Sequence, residues 1–462
     1  MHFRAGASEL VVPESTLTFV DGNGVGRRIY IPFIKLDAGR LLNGSASTTG
    51  EFYFEPDSIP VGEEDFAPLL FGGVTRMAAP WRLAPGFRME LVTDALTLPV
   101  QMALVPNPGN DPAAPFMHIT EFRGSIKAIA RDGTTWTYAE SVASQPPELA
   151  PPSHGSGQLG LSGIVVDPDN GDLYVTTVYF NEAGGQNMIV RLESDDGGRT
   201  VARQSDVLRL EGEITRPSHQ IHGIIFGHDG KLYVAVGNGF FPERSQDDNA
   251  WGGNILRLNR DGTAPADNPY FDPDRPDHPV SYQWAAGIRN VFALAQRPGD
   301  NAIYAAMNGP QLDSLLRIEA GSNLGYDGTD ESVLNSGLWC FGPPGIAPTG
   351  TTFVLGGVFP DEFDGRLLIG SAGPDFVRGP TSRDKEIWSF ELTADGLSVE
   401  RPTIFTKYAG TGHATISGLV YGPDGLYFAK LFADHPPGDE ADARASGARI
   451  WRIVPDSTTP LR

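Results

Sequence analysis

The 462 residues carry 57 acidic against 35 basic side chains, a formal charge of −22, which argues against an electrostatic grip on nucleic-acid phosphates or anionic lipid, since such binding needs clustered Lys and Arg. The single cysteine, Cys340, excludes an intrachain disulfide framework, and its neighbours Leu338, Trp339 and Phe341 predict a buried thiol. The 56 glycines and 38 prolines are spread along the chain and favour many short strands joined by tight turns over long helices.

The opening segment MHFRAGASELVVPEST lacks the apolar centre of a secretory signal, and no uncharged apolar run is long enough to span a bilayer. Residues 1–80 lie outside the periodicity described below, and alternating pieces such as RRIYIPFIKL (28–37) predict a strand-rich extension packed on the main domain, residues 81–462. The stretch PGFRMELVTDALTLPVQMALVPN (85–107) predicts the opening strands of the first repeated unit.

Two phrases then recur. A Gly/Asp turn feeds an alternating strand in DNGDLYVTTV (169–178), HDGKLYVAVG (228–237), GDNAIYAAMN (299–308), FDGRLLIGSA (363–372) and PDGLYFAKLF (423–432). A second phrase has six copies: IKAIARDG, IVRLES, ILRLNRDG, LLRIEAG, IWSFELTADG and IWRIVP, starting at 126, 189, 255, 315, 387 and 450. The steps of 63, 66, 60, 72 and 63 residues suit four-stranded blades of about 40 residues plus loops. A β-helix needs much shorter rungs, and a βαβ solenoid needs a helical periodicity that is absent. The fold expected is all-β, a six-bladed β-propeller with an N-terminal extension.

Within SHQIHGIIFGHDGKLYVAVGN (218–238) two of the nine histidines, His219 and His222, stand three residues apart. On an extended segment residues i and i+3 point to opposite sides, which disfavours a metal shared between them. A neutral imidazole is suited to general-base work because its pKa lies near working pH, whereas a histidine beside a strand start is also a common structural residue. The acidic loop SQDDNAWGGN (245–254) reads as a solvated loop, and DPDRPD (272–277) has too many prolines for a calcium loop.

Taken in order over roughly residues 86–455, GLSGIVVDPDNGDLYV (160–175), HQIHGIIFGHDGKLYVAVGN (219–238), QDDNAWGGNILRLNRDGTAPADNPYF (246–271) and AAGIRNVFALAQRPGDNAIYAAMNGPQLDSLLRIEAGSNLGY (285–326) resemble the soluble glucose/aldose dehydrogenases that use pyrroloquinoline quinone, the glucose/sorbosone dehydrogenase superfamily. The resemblance implies a catalytic histidine at His219, followed by Gln220 and, eight residues on from the His-Gln pair, by Gly227 and Asp229. It implies cofactor contacts from Gln220, Asn238, Arg289, Asn290, Asn308 and Arg378, and calcium held by the carbonyls of Gly309 and Pro310. Such carbonyls are suitable oxygen donors for calcium, although Asn308-Gly309-Pro310 also reads as a plain turn.

The chemistry so implied is removal of a sugar hydroxyl proton by His219 with hydride transfer to the quinone, calcium polarising the quinone and Arg289 stabilising its developing charge. By the same resemblance the compartment is periplasmic or extracellular, and the partner is a sugar or other small molecule. Departures from the family pattern are equally specific. Asn238 stands where the family has an aspartate against the histidine, and His222 replaces a small residue. The quinone-contacting lysine has no counterpart in IGSAGPDFVRG (369–379), where Arg378 is nearest, and Thr415 and Ser417 stand where two arginines hold the cofactor carboxylates. Arg378 and Lys430 are candidates to replace those cations. The alternatives are a calcium-dependent propeller enzyme without redox cofactor (lactonase, lyase or hydrolase) and a non-catalytic binding propeller.

Overall fold

The computed structural model describes residues 2–4, 10–11, 16–20, 26–30, 81–143, 158–181, 184–213, 215, 218–373, 385–408, 415–432 and 447–456. Six sheets, each built on a four-stranded antiparallel blade, stand around a central channel. Blade 1 runs from an inner strand Pro99–Leu104 through Pro115–Glu121 and Ile126–Ala130 to an outer strand Thr135–Ala139. The inner strands of blades 2 to 6 are Leu161–Val166, Ile221–Phe226, Val291–Ala295, Pro348–Phe353 and Ile416–Gly422. Each inner strand packs on the next, and that of blade 6 packs back on blade 1, so the ring is closed.

Both recurring phrases have fixed places in this ring. The Gly/Asp-turn phrase is the second strand of blades 2 to 6, and the six-copy phrase is the third strand of every blade. Third strands read as near-continuous apolar runs because neighbouring blades cover both of their faces. Tyr233, Ala235 and Ile255 of blade 3 pack with Ile303, Ala305 and Leu316 of blade 4 in one such layer, each fully buried aliphatic contributing about 1.5–3 kcal/mol.

One expectation is corrected. Residues 85–107 do not open blade 1 as a unit: Phe87–Leu96 is the outer strand of blade 6, paired antiparallel with Ala448–Pro455, and only Pro99–Leu104 belongs to blade 1. The physical reason is closure. A ring of separate blades is tied shut when its last blade is completed by a strand that runs directly into the first, as Phe87–Leu96 of blade 6 runs into Pro99–Leu104 of blade 1, and alternation along 87–96 looks the same whichever blade receives it. Upstream, Trp81–Leu83 adds a fifth strand to blade 5, and the backbone of Gly26–Tyr30 runs parallel to Trp339–Phe341 at the edge of blade 4. Cys340 is buried in that edge strand, its Sγ 3.8 Å from the Val333 carbonyl.

The closing strand is anchored by Phe87, whose ring packs 4.7–5.1 Å from those of Phe359, Phe405 and Phe363. Phe87→Ala is expected to lower stability by about 3–5 kcal/mol, the cost of emptying a buried phenylalanine site, read as a shift of the denaturant midpoint in urea unfolding. A midpoint unchanged from wild type would mean that closure does not rest on this anchor.

Candidate active site

Because the inner strands run in one direction along the channel, their N-terminal ends converge at one mouth. Gln158, His219, Arg289-Asn290 and Thr415 each lie within a few residues of such an end, and antiparallel pairing brings the C-terminal ends of the second strands to the same level, with Asn238, Asn308 and Lys430. The site is therefore assembled from several blades.

His219 has a left-handed backbone (φ +59°) and is 4% exposed. Its Nδ1 lies 3.0 Å from Asn238 Oδ1. The same Oδ1 accepts the Phe240 N–H at 3.1 Å, while Asn238 Nδ2 donates to Ser245 Oγ at 3.2 Å. The amide orientation is thereby fixed, so Nδ1 carries the proton and Nε2 is left as the basic nitrogen. Burial first, then the Arg289 guanidinium, push His219 down to about 3, against the opposing hydrogen bond from Asn238. The imidazole is neutral throughout the physiological range.

The aromatic ring of Phe240 lies on this imidazole, with centroids 3.8 Å apart and 32° between planes, and Arg289 Cζ is 5.8 Å from the centre of the same ring. Arg289 donates to the Asn308 carbonyl at 2.9 Å and interacts with the Tyr326 hydroxyl. Its guanidinium forms no salt bridge with a carboxylate among the described residues. Burial lowers its pKa from the ordinary arginine value, yet such a group stays charged at any working pH. A half-buried cation of this kind suits an anion or a developing negative charge.

Behind these groups Gln158 acts as a hub. Its Oε1 accepts the backbone N–H of His219, faces His222 Nε2 at 3.0 Å and receives Asn290 Nδ2 at 3.4 Å. His222 Nδ1 lies 3.0 Å from Ser162 Oγ, and the ring stacks on Phe292 at 4.3 Å. Burial pushes His222 down to about 3 as well. The two histidines thus share a glutamine rather than a metal. A side chain on Gly163 would collide with the His222 carbonyl oxygen, which explains the glycine at this close approach of blades 2 and 3. Gln220 points away from the imidazole, accepting from Asn187 Nδ2 at 2.9 Å and donating to the Ser218 carbonyl at 2.9 Å.

Asn290 is buried, and its Oδ1 has no hydrogen-bond partner, an unsatisfied acceptor inside the site. Asn308 Nδ2 donates to the Pro348 carbonyl at 2.9 Å. The Gly309 N–H donates at 2.9 Å to Asp313, a buried carboxyl that burial raises to about 6 and that also takes the Ala347 N–H. The carbonyls of Gly309 and Pro310 accept no hydrogen bond among the described residues. A Cβ on Gly309 would strike the Leu312 carbonyl oxygen, so the turn requires glycine. No group of three or more His, Cys, Asp or Glu side chains suited to a metal occurs among the described residues, and none of them lies in a helix long and apolar enough to cross a membrane.

Arg378 lies outside the described residues. Thr415 and Ser417 are buried and uncharged, and Ser417 gives its carbonyl to Gln101 Nε2 at 3.1 Å. Two buried lysines stand at this end of blades 5 and 6: Lys385 donates to the Ala372 carbonyl at 2.8 Å, and Lys430 Nζ lies 5.9 Å from the Tyr408 ring centre. Sequence reasoning missed Gln158, Phe240, Ser245 and Lys385. The available signals were the polar residue ahead of the blade 2 inner strand and the aromatic two places beyond Asn238. A cavity of about 650 Å³ opens at the opposite mouth, lined by Leu104, Ile164, Ile225, Phe292 and Val420, and is separate from the His219 cluster.

The six-bladed ring, with a histidine, an arginine and a Gly-Pro turn at one channel mouth, is placed in the sugar-dehydrogenase class by its family match. Residues 96–387 match the glucose/sorbosone dehydrogenase family, and the chain belongs to it. Quinoprotein glucose dehydrogenase B of Acinetobacter calcoaceticus is 27% identical over 210 residues, which span 39% of this chain and 42% of that protein. A crystal structure of a putative oxidoreductase (glucose dehydrogenase) from Thermus thermophilus superposes with a TM-score of 0.61 at 26% identity, over 80% of this chain and all of that one. The PQQ-bound aldose sugar dehydrogenase of Streptomyces coelicolor superposes with a TM-score of 0.58 at 21% identity, over 81% and 100% of the two chains, a likeness of fold.

Asn238→Asp places an anion on Nδ1, and a nearby opposite charge raises a histidine pKa by about 1–3 units. With His219 as the catalytic base, only its neutral form would abstract a proton, so the acid limb of the pH–rate profile is expected to move upward by that amount. Superimposable profiles for wild type and variant would count against control of the base by Asn238.

Proposed function

We propose that the protein is a quinone-dependent dehydrogenase of aldoses or related hydroxy compounds, with His219 as general base. The observation that carries the reading is the pairing of a buried neutral imidazole, its Nε2 left basic by the Asn238 bond, with a half-buried Arg289 that has no carboxylate partner among the described residues. His219 Nε2 takes the hydroxyl proton from the substrate carbon that is oxidised, and Arg289 stabilises negative charge opposite it. The resulting imidazolium has a neutral amide and a nearby cation for company, so it is held only briefly.

The residues present fit a quinone and calcium in part. Arg289 offers donors to a planar oxygen-rich group, the unsatisfied Asn290 Oδ1 is an acceptor open to a ligand N–H or O–H, and the carbonyls of Gly309 and Pro310 offer oxygen ligands to a hard cation. When bound, pyrroloquinoline quinone supplies the two-electron acceptor for the hydrogen leaving the substrate carbon. A second reading, a propeller enzyme without redox cofactor, is favoured by the neutral, buried Thr415 and Ser417, which remove charge from the place where a tricarboxylate needs it.

The test is reconstitution with calcium and pyrroloquinoline quinone, followed by reduction of an artificial dye in the presence of an aldose panel. Turnover is expected, and His219→Ala is expected to lower it by about 10² to 10⁴, the usual worth of a positioned base. His222→Ala costs much less, because that ring acts behind Gln158. Full dye reduction by His219→Ala would overturn the reading. Dialysis against a calcium chelator should abolish turnover and lower the thermal midpoint, with recovery on adding calcium. A protein indifferent to the chelator in both respects has no such site.

A further inference from the structure

Phe240 is out of place by ordinary packing rules. It is a non-glycine residue at φ +68°, a backbone state that glycine adopts without cost, and its side chain is 55% exposed. Neither the strain nor the exposure benefits the core. What the conformation achieves is local: Gly239 and Phe240 turn back over His219, with the Gly239 N–H on the His219 carbonyl at 3.0 Å and the Phe240 N–H on Asn238 Oδ1. The phenyl ring is thereby laid on the imidazole at 3.8 Å. Strained, over-determined residues of this kind concentrate at functional sites.

We propose that Phe240 is a positioning residue for the His219 base, holding the imidazole plane by stacking and keeping bulk water off its face where the orienting partner, Asn238, is uncharged. A carboxylate partner would orient the ring through charge and a strong hydrogen bond. A neutral amide fixes the tautomer but leaves the ring freer to rock about one contact, and the stacked phenyl removes that freedom. The ionisable groups bearing on the imidazole are Arg289, from the connection into blade 4, and His222, from its own blade. Neither replaces the missing anion, since a cation beside the ring disfavours imidazolium. The proposal rests on the reading of His219 as a base, but its principal measurement does not.

That measurement is the titration midpoint of His219, followed by NMR of the full chain with ¹³C-labelled histidine, in wild type, Phe240→Gly and Phe240→Tyr. In Phe240→Gly, water reaches the imidazole and the midpoint is expected to rise from about 3 toward the ordinary imidazole range. The thermal unfolding midpoint should be equal or higher, because glycine relieves the backbone. Phe240→Tyr keeps the flat face and is expected to retain the wild-type midpoint. In the dye assay with calcium, pyrroloquinoline quinone and D-glucose, or the best aldose of the panel, Phe240→Gly should lose kcat by about 10- to 100-fold, as misplacement of a reacting group does, while KM changes little and Phe240→Tyr recovers the loss. An unmoved His219 midpoint in Phe240→Gly overturns the proposal. Failure of the dehydrogenase reading shows separately, as no dye reduction by the reconstituted wild type, and failure of the base assignment as full activity in His219→Ala.

Discussion

Ring closure is the constraint on which everything else depends. The outer edge of blade 6 is covered by Phe87–Leu96, and with that strand in place the inner strands can only stand in a circle with their N-terminal ends at one mouth. Residues remote in sequence then become neighbours. Gln158 and Asn290, 132 positions apart, share a hydrogen bond, and Gln101 reaches the backbone of both blade 5 and blade 6. Precision at the site is inherited from a rigid scaffold rather than built by local sequence, which is why a few short connecting segments are enough to hold a base, a cation and a set of carbonyls in register.

The electrostatic character of the site follows from the kind of polar group it uses. The polar groups around the two imidazoles are buried or half-buried carboxamides: Asn238 bonds His219, Gln158 bonds His222 and Asn290, and Gln220 pairs with Asn187 beside them. Amides orient a ring without charging it. With burial and Arg289 both acting against the imidazolium, His219 is held neutral and ready to accept a proton, at the expense of basicity. The charge that bears directly on His219 is that of Arg289, and it favours negative charge on whatever sits before it. Under the proposed reading, a site of this type lends more to stabilising an anion than to pulling off a proton, and the burden of lowering the barrier would fall on the acceptor side.

Legibility in the sequence divided along physical lines. Third strands were readable because burial on both faces leaves an apolar run that recurs in every blade. The closing strand was not, because an outer strand exposes one face, and its alternation carries no information about which blade it joins. His219 was found through its motif and Asn238 through its departure from that motif, yet the meaning of Asn238 came only from the two bonds that fix its amide. Gln158 sits in a Gly-rich stretch without period, and its role as a hub depends on three donors from two other blades. Phe240 resembled one more aromatic after a glycine, since a positive φ cannot be read from composition.

The two faces of the disc explain why the repeat was plainer than the site. Every Gly/Asp turn that revealed the period, at 169–171, 228–230, 299–301, 363–365 and 423–425, leads into a second strand and so lies at the mouth opposite His219. Tight turns there need one chemistry, φ > 0 at glycine, and the same residues recur. At the His219 mouth, second strands return through connections of different length, such as 237–253 in blade 3 and 308–312 in blade 4, and each carries its own residues, Asn238, Phe240 and Ser245 in the one, Asn308 to Pro310 in the other. Uniform turns on one face set the frame, and irregular loops on the other are free to differ. The repeat is visible because that face does a single structural task in blade after blade, and the site is hard to see because none of its parts is repeated.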